Sequence, residues 1–286
     1  MHEIVWQYDE TTPHPEVEPD GPTEARRLLM EGNHAFAHFF DEAPGPGGLL
    51  RHVIPVSRHD LGLGDRPGEA PRQEPFAAVL GCADARVPIE LIFGRQANDL
   101  FIVRVAGNVL GSECLGSVDY AVNHIGTVKL LAVLGHTGCG AVTAAVDAYL
   151  TPAAYLDVAT NFPLQSIVSA LMAAVRGAAH ALNIVYGKQS AELPGYRRAL
   201  IDLAVIVNAA LDASVLAHTY RDTPQRRLEV TFGIYDLVQR VVGLPAPDAG
   251  WAAGLADPPA DRDELAAFGR RMAASSYVRG LLHAPQ

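Results

Sequence analysis

The sequence has few cysteines and a deficit of basic residues. Three cysteines in 286 residues are too few for a disulfide framework, so we expect reduced thiols that serve packing or chemistry. Lysine and arginine number 22 against 32 aspartates and glutamates, which gives a formal net charge of −10. A surface of that sign argues against nucleic acids and anionic membranes as partners, but it excludes no small anion held by local charge.

Long apolar runs and targeting signals are also lacking. No run of eighteen apolar residues occurs, so we expect no membrane span. Residues 1–22 are acidic and carry proline, without the basic start and apolar run of a secretory signal, and we interpret them as a flexible N-terminal arm. Together with the reduced thiols, this predicts a cytoplasmic location.

Short apolar segments alternate with segments of helical periodicity. The segments that predict strands buried on both faces are 76–81, 100–107, 128–135 and 227–236. The alternation predicts an α/β fold with a mostly parallel sheet of four or five strands, flanked by helices. We interpret 23–286 as a single domain that begins with an N-terminal helix and carries a long helical insertion at about 150–225. A small subdomain in place of the insertion is the alternative.

Two cysteines and one histidine directly follow predicted strands. Cys82 follows the first strand in GCADARVP, and His136 and Cys139 follow the third in LGHTGCGAV. Open α/β sheets place ligands at the carboxyl ends of parallel strands, so we expect these side chains to lie together. Two thiolates and one imidazole leave one tetrahedral position open, which is the composition of a catalytic zinc site. Sulfur and nitrogen ligands favour zinc over magnesium, calcium or manganese.

An aspartate and an arginine accompany the first of these ligands. Asp84 lies two residues after Cys82, and Arg86 lies two residues further. Two thiolates formally cancel the charge of a zinc ion, so water bound there needs a further group that accepts its proton in a hydrogen bond. We expect Asp84 to be that group and Arg86 to hold its carboxylate ionised and oriented. If Asp84 bound zinc directly, the open position would close and activity would stop; a purely structural ion pair is the other alternative.

These motifs resemble those of β-class carbonic anhydrases. The C-x-D-x-R and H-x-x-C patterns of that family appear here as CADAR and HTGC. The segments LLMEGNHAF, DLFIVRVAGN, GSVDYAV and VTFGIYDL are similar to other parts of the family. The resemblance covers about 25–150 and 200–240, and it implies that Cys82, His136 and Cys139 bind one zinc ion per subunit.

The resemblance implies further roles near the metal. Gln73 matches a glutamine that hydrogen-bonds substrate or bicarbonate, and Phe101 and Tyr120 match aromatic residues that line an apolar pocket for carbon dioxide. Gly138 and Gly140 would let the backbone approach the site closely, with Gly140 beside the substrate. In the family this pocket lies at a dimer interface. The resemblance therefore implies a homodimer or a higher even oligomer with a shared active site.

The sequence departs from the family pattern at two places. Ala85 stands where the family usually has serine, which predicts a tuned or slower site that keeps its ligands. The helical segment between 150 and 200 is longer than in compact members of the family. It would either cover the site or form an oligomer contact.

Several functions remain open on the residues alone. The resemblance implies reversible hydration of carbon dioxide to bicarbonate and a proton, with His124 as a candidate proton relay. Hydrolysis of carbonyl sulfide or carbon disulfide would use the same attack on a linear electrophile. Ala85 and the helical insertion would also fit a zinc-binding module without catalysis. A cysteine-nucleophile enzyme, with Cys139 activated by His136, would make Cys82 incidental.

Other candidate ligands have simpler interpretations. Cys114 is expected to be a small buried residue. His34 and His38 have helical spacing, and we place them on a solvated helix face because no third ligand is apparent.

Overall fold

A computed structural model describes residues 1–10, 18–39, 41, 48–64, 66–221, 228–248 and 250–284. The strands in these ranges are β1 (His2–Tyr8), β2 (Leu50–Val56), β3 (Ala77–Gly81), β4 (Leu100–Arg104), β5 (Leu130–His136), β6 (Glu229–Tyr235), β7 (Val242–Pro245) and β8 (Trp251–Ala253). The α-helices are α1 (Pro22–His38), α2 (Ile89–Ile92), α3 (Ser112–His124), α4 (Gly140–Leu150), α5 (Pro152–Ala159), α6 (Phe162–Tyr186), α7 (Tyr196–Thr219), α8 (Arg262–Ala273) and α9 (Ser276–His283).

A six-stranded sheet forms the centre of the fold, in the order β4-β3-β5-β6-β7-β8. The first four of these strands pair in parallel, and β7 and β8 extend the sheet in antiparallel fashion. The expected α/β class and mostly parallel sheet are confirmed, but the sheet has six strands where four or five were expected. Since β7 and β8 have only four and three residues, they are too short to produce a recognisable apolar pattern.

Helices cover both faces of the sheet because its central strands are apolar on both sides. Along β3, Leu80 packs in one buried cluster with residues of α6 and α7. The neighbouring Val79 points to the opposite face and packs with Leu29 of α1. The prediction of strands buried on both faces is confirmed for β3 and β5, in which every residue is buried, whereas β4 at the edge of the sheet is only partly buried. With both faces covered, the ends of the strands are where a site can open.

The helical insertion consists mainly of α6 and α7, with the short α5 before them. The two long helices pack against each other, and α7 lies directly on β5 and β6. By length and composition both would be able to cross a membrane, but 83% of the apolar window of α7 is buried inside the molecule. Core packing therefore accounts for the apolar character of α7, and this helix runs beside the ends of the central strands.

The N-terminal segment differs from expectation. His2–Tyr8 forms a strand that pairs in parallel with Leu50–Val56, in a two-stranded sheet separate from the main one. Describing all of 1–22 as a flexible arm is therefore wrong for these residues, because IVW is a short β-prone run inside an acidic segment. Residues 11–17 lie outside the described part of the chain.

Candidate metal centre

Three side chains converge at the carboxyl ends of β3 and β5. Cys82 directly follows β3, His136 is the last residue of β5, and Cys139 directly precedes α4. The register of β3 on β5 pairs Gly81 with Leu134, so both strands end at the same edge of the sheet. The ligand atoms of the three residues all lie within 4.8 Å of one another. The structure thus brings together the three residues that the sequence analysis selected.

The donor set and its burial fit a zinc ion. All three side chains are buried, and that of His136 is 0% exposed. Nδ1 of His136 donates to the carbonyl oxygen of Thr137 at 3.0 Å, and Nε2 is buried without a hydrogen-bond partner among the described residues. An unsatisfied buried polar atom costs about 1–3 kcal/mol, and a cation between this nitrogen and the two sulfurs would remove that cost. Two sulfurs and one nitrogen are ligands that zinc prefers.

The two thiols of the cluster are hydrogen-bonded to each other. Their Sγ atoms are 3.9 Å apart. The hydrogen bond from Cys139 lowers the pKa of Cys82 to about 4, with smaller contributions from His136 and the backbone N–H of Gly107. The pKa of Cys139 is raised, because its proton holds the two sulfurs together. A bound cation would displace this proton, since thiol ligands bind metals as thiolates.

Asp84 and Arg86 form a two-pronged ion pair at the rim of this cluster. Arg86 Nε donates to Asp84 Oδ1 at 3.0 Å, and Nη2 donates to Oδ2 at 2.7 Å. The backbone N–H of Arg86 adds a third hydrogen bond to Oδ1 at 2.9 Å. The hydrogen bond from the Arg86 side chain is the largest cause that holds the pKa of Asp84 well below its usual range. Asp84 is therefore an ionised carboxylate, and its Oδ2 lies 3.8 Å from Nε2 of His136.

Arg104 braces the loop that carries the first ligand. This residue ends β4, and its Nε donates to the carbonyl oxygen of Cys82 at 3.0 Å. Its Nη2 donates to the carbonyl oxygen of Asp84 at 2.6 Å. The sequence analysis did not single out Arg104. Its position at the end of an apolar strand, level with the ligand loop, is the signal that would have revealed it.

Asp202 braces the second ligand loop from helix α7. Its Oδ1 accepts from the backbone N–H of Gly138 at 3.0 Å, and its Oδ2 accepts from the hydroxyl of Tyr277 at 2.8 Å. Burial raises the pKa of Asp202, which these two hydrogen bonds oppose. The sequence analysis missed this residue as well. An acidic residue inside the apolar helix segment IDLAVIV was the available signal, because a buried carboxylate needs a partner.

The expected aromatic pair forms, but away from the ligand cluster of its own chain. The rings of Phe101 and Tyr120 have centroids 6.2 Å apart, and Tyr120 is 50% exposed and also stacks on His124. Phe101 is paired with Ala78 across β3 and β4, four residues before Cys82. Four residues of strand span roughly 13 Å. The pair is thus a surface feature beside the sheet.

Gln73 lies at the opposite end of the sheet from the metal ligands. It precedes the five-residue strand β3, whereas Cys82 follows that strand. A cavity of 410 Å³ opens at the same amino-terminal edge, with Glu74, Asp99 and Lys129 in its lining. One chain therefore does not bring Gln73 to its own ligand cluster, because β3 alone spans roughly 16 Å.

The two glycines of the second ligand loop, Gly138 and Gly140, differ in whether the structure requires a glycine at that position. Gly138 has a φ of +63°, in the left-handed region that favours glycine. An added Cβ at Gly140 would meet no atom within 4 Å. Packing within one chain therefore does not require a glycine at position 140, and the space in front of the first turn of α4 is open.

The structure agrees with the simple interpretation of His34 and His38 and differs from that of Cys114. His34 and His38 are exposed on α1, and neither belongs to a group of metal-ligating side chains within the described ranges. Cys114 packs against the core but is half-buried rather than fully buried. Ala85 is exposed between the two members of the ion pair.

Comparison with known proteins points to one family. The family model described as "Carbonic anhydrase" matches residues 77–219, which is half of the chain. Carbonic anhydrase 2 of Mycobacterium tuberculosis is 41% identical over 127 residues, 44% of this chain and 54% of that relative. The chain thus spans about half the length of this curated relative.

Two further matches are shorter or more distant. A carbon disulfide hydrolase of Acidianus is 39% identical over 62 residues, 22% of this chain and 30% of that relative. The solved structure of the β-carbonic anhydrase CcaA has a TM-score of 0.45 at 21% identity, and covers 60% of this chain and 79% of that chain.

Proposed function

The chain belongs to the β-class carbonic anhydrase family, and we propose that it catalyses the reversible hydration of carbon dioxide to bicarbonate and a proton. The observation that carries the proposal is an ionised Asp84, held by Arg86 beside a buried group of two thiols and one imidazole. One zinc ion per subunit, bound by Cys82, His136 and Cys139, would supply a Lewis acid that makes water a nucleophile near neutral pH.

Asp84 would act as the acceptor that orients the attacking water. Its carboxylate stays charged because Arg86 donates to both oxygens, and the charged form is the better hydrogen-bond acceptor. The same two bonds restrain the carboxylate from moving onto the metal. Among the described side chains, no carboxylate belongs to the group of ligand atoms within 4.8 Å of one another. This supports a site with three protein ligands and one position left for substrate chemistry.

Gln73, Phe101 and Tyr120 would serve the site of a neighbouring subunit in a homodimer. All three lie away from the ligand cluster of their own chain, and a half-exposed aromatic pair is a typical anchor of a protein interface. In that arrangement the apolar wall for carbon dioxide comes from the second subunit. Both ligand thiols must be reduced to bind zinc, which supports a cytoplasmic location.

Stopped-flow measurement of carbon dioxide hydration from about pH 6.5 to 9 tests this proposal, on protein with its zinc counted. Cys82→Ser serves as the ligand-deficient control, and Cys114→Ser as the matched variant of a cysteine outside the cluster. We expect activity in the wild type and in Cys114→Ser, and its loss in Cys82→Ser. A wild type with one zinc per subunit and no hydration at any pH would contradict the proposal.

Hydrolysis of carbon disulfide or carbonyl sulfide is the second candidate. The match to the Acidianus carbon disulfide hydrolase favours it, and that match is short. Release of hydrogen sulfide from carbon disulfide, assayed on the same zinc-loaded preparation, separates the two candidates. A higher kcat/KM on the sulfur substrate than on carbon dioxide would favour this second function.

A further inference from the structure

Helix α7 reaches the ligand Cys82 through a continuous chain of hydrogen bonds that begins at Asp212. Oδ2 of Asp212 accepts from Nδ2 of Asn208 at 3.0 Å and from Nδ2 of Asn108 at 3.2 Å. The Asn208 amide also donates to the carbonyl oxygen of Gly107 at 3.1 Å. The backbone N–H of Gly107 then donates to Sγ of Cys82 at 3.3 Å. Asp212 is therefore joined to both residues of the turn that contacts the sulfur.

This turn has a backbone conformation that needs external support. Gly107 and Asn108 have φ values of +69° and +47°, so two consecutive residues lie in the left-handed region. That region carries a steric cost for an L-residue, which is smaller for asparagine than for most others. The hydrogen bond from the Asn108 side chain to Asp212 offsets this cost. Without this hydrogen bond, the turn is held less firmly in the conformation that points the Gly107 N–H at Sγ of Cys82.

A carboxyl group at position 212 costs free energy because its surroundings are apolar, which argues for a specific role of Asp212. Asp212 is buried in α7, where most neighbouring side chains are apolar, and burial raises its pKa to about 8. An apolar residue would satisfy the packing of α7 at this position without that cost. The Asp212 carboxyl group instead accepts hydrogen bonds from the side-chain amides of Asn108 and Asn208, and both amides connect it to the Gly107–Asn108 turn.

We propose that Asp212 is a positioning residue for the metal centre: through Asn108, Asn208 and Gly107 it fixes an N–H···S hydrogen bond on the ligand Cys82. This inference rests on the metal-binding part of the proposed function. A hydrogen bond to a ligating thiolate withdraws electron density from the sulfur, so the metal keeps more of its positive charge. In a site with two thiolates, that effect opposes the charge cancellation which would otherwise weaken the Lewis acid. The helical insertion would thereby tune a site with which it shares no ligand.

Metal binding to three variants tests the role of Asp212 without relying on activity. Asp212→Asn keeps an acceptor oxygen for both amides, whereas Asp212→Ala removes the acceptor of Asn108 and leaves Asn208 only its hydrogen bond to the carbonyl oxygen of Gly107. Ser214→Ala removes hydrogen bonds of the same helix to Ala210 and Pro259, which do not lead to the turn. Zinc affinity is measured by competition with a chromophoric chelator, and the sulfur-to-metal charge-transfer band is recorded on the cobalt(II)-substituted proteins.

We expect Asp212→Ala to lose about 10–100-fold in zinc affinity, the range for residues that support a metal ligand. Its cobalt charge-transfer band should move to longer wavelength, because an unbonded thiolate is easier to oxidise. Asp212→Asn and Ser214→Ala should keep the wild-type affinity and band. Equal affinity and an unshifted band in Asp212→Ala would overturn the inference and leave the proposed function intact.

A second variant keeps the test decisive if Asp212→Ala does not fold. Asn108→Gly removes the side-chain link to Asp212 while it relieves the left-handed strain, so we expect a folded protein with the same band shift. An unshifted band in Asn108→Gly would contradict the proposed link. Failure of the wild type to bind zinc at all would instead overturn the proposed function, and this inference with it.

Discussion

Oδ2 of Asp84 lies 3.8 Å from Nε2 of His136, and Nη2 of Arg86 donates to the same oxygen at 2.7 Å. The imidazole nitrogen is buried, whereas the Arg86 side chain is 59% exposed. An ion pair this exposed contributes at most about 1 kcal/mol to stability. The main effect of Arg86 is therefore to hold the Asp84 carboxylate in position, and not to stabilise the fold.

Removing that restraint should impair catalysis more than folding. In Arg86→Ala the Asp84 carboxylate is free to turn toward the metal, and we expect kcat/KM to fall by about 10²–10³-fold, within the range for a lost proton-transfer partner. The free energy of unfolding should change by less than about 1 kcal/mol. Stopped-flow hydration and urea unfolding measure the two effects. Arg270→Ala on α8 is the control, and activity equal to that control would contradict the role of Arg86.

Gly107 should tolerate no side chain. Its φ of +69° is strained for alanine, and an added Cβ would meet Leu171 at 3.1 Å and Ala141 at 3.2 Å. We expect Gly107→Ala to lower the free energy of unfolding by about 1–3 kcal/mol and to weaken zinc binding. Gly116→Ala, at an open position of α3, should instead be neutral or gain up to about 1 kcal/mol. Equal unfolding midpoints for the two variants would show that the turn adapts.

Asp212 should make stability fall as the pH rises. Burial raises its pKa to about 8 in the folded protein, whereas an unfolded chain has a value near 4. Between these values the folded state holds a proton that the unfolded state has lost. The stabilisation is therefore complete below about pH 4 and is lost as the pH rises through about 8.

Asp212→Asn does not titrate and should flatten this dependence. Its free energy of unfolding should fall less steeply than that of the wild type between pH 5 and 8, by up to about 1.4 kcal/mol per pH unit. Urea unfolding of the metal-free proteins at half-unit pH intervals measures both slopes. Parallel slopes would mean that Asp212 is already ionised in the folded protein.

The surface around Tyr120 should be a subunit contact. Tyr120→Arg places a charge on the half-exposed aromatic pair, so we expect a shift toward monomer in sedimentation velocity at micromolar concentration, with loss of hydration activity. Val238→Arg changes another exposed apolar residue and should sediment as the wild type does. Unchanged sedimentation of Tyr120→Arg would place any oligomer contact elsewhere.

Local patterns were enough to predict the parallel strands, the convergence of the three candidate ligands and the ion pair. Each strand core is a continuous apolar run. Cys82 and His136 lie next to or at the strand ends, so parallel pairing brings them together, and Cys139 follows His136 by one short turn. Asp84 and Arg86 lie two residues apart, and their contact needs only the turn between them.

The residues that surround the candidate ligands were determined by the tertiary structure and not by local sequence. The N–H···S bond on Cys82 comes from Gly107, 25 positions away, and the Asp212 carboxyl group that supports this turn is 104 positions from Asn108. No local spacing encodes such contacts, because the first joins the ends of β3 and β4 and the second joins the turn after β4 to α7. The same holds for Asp202, whose partner amide at Gly138 lies 64 positions before it. The candidate ligands follow from chain-local rules, whereas the contacts that support them arise when β4 pairs with β3 and when the helical insertion packs on β5 and β6.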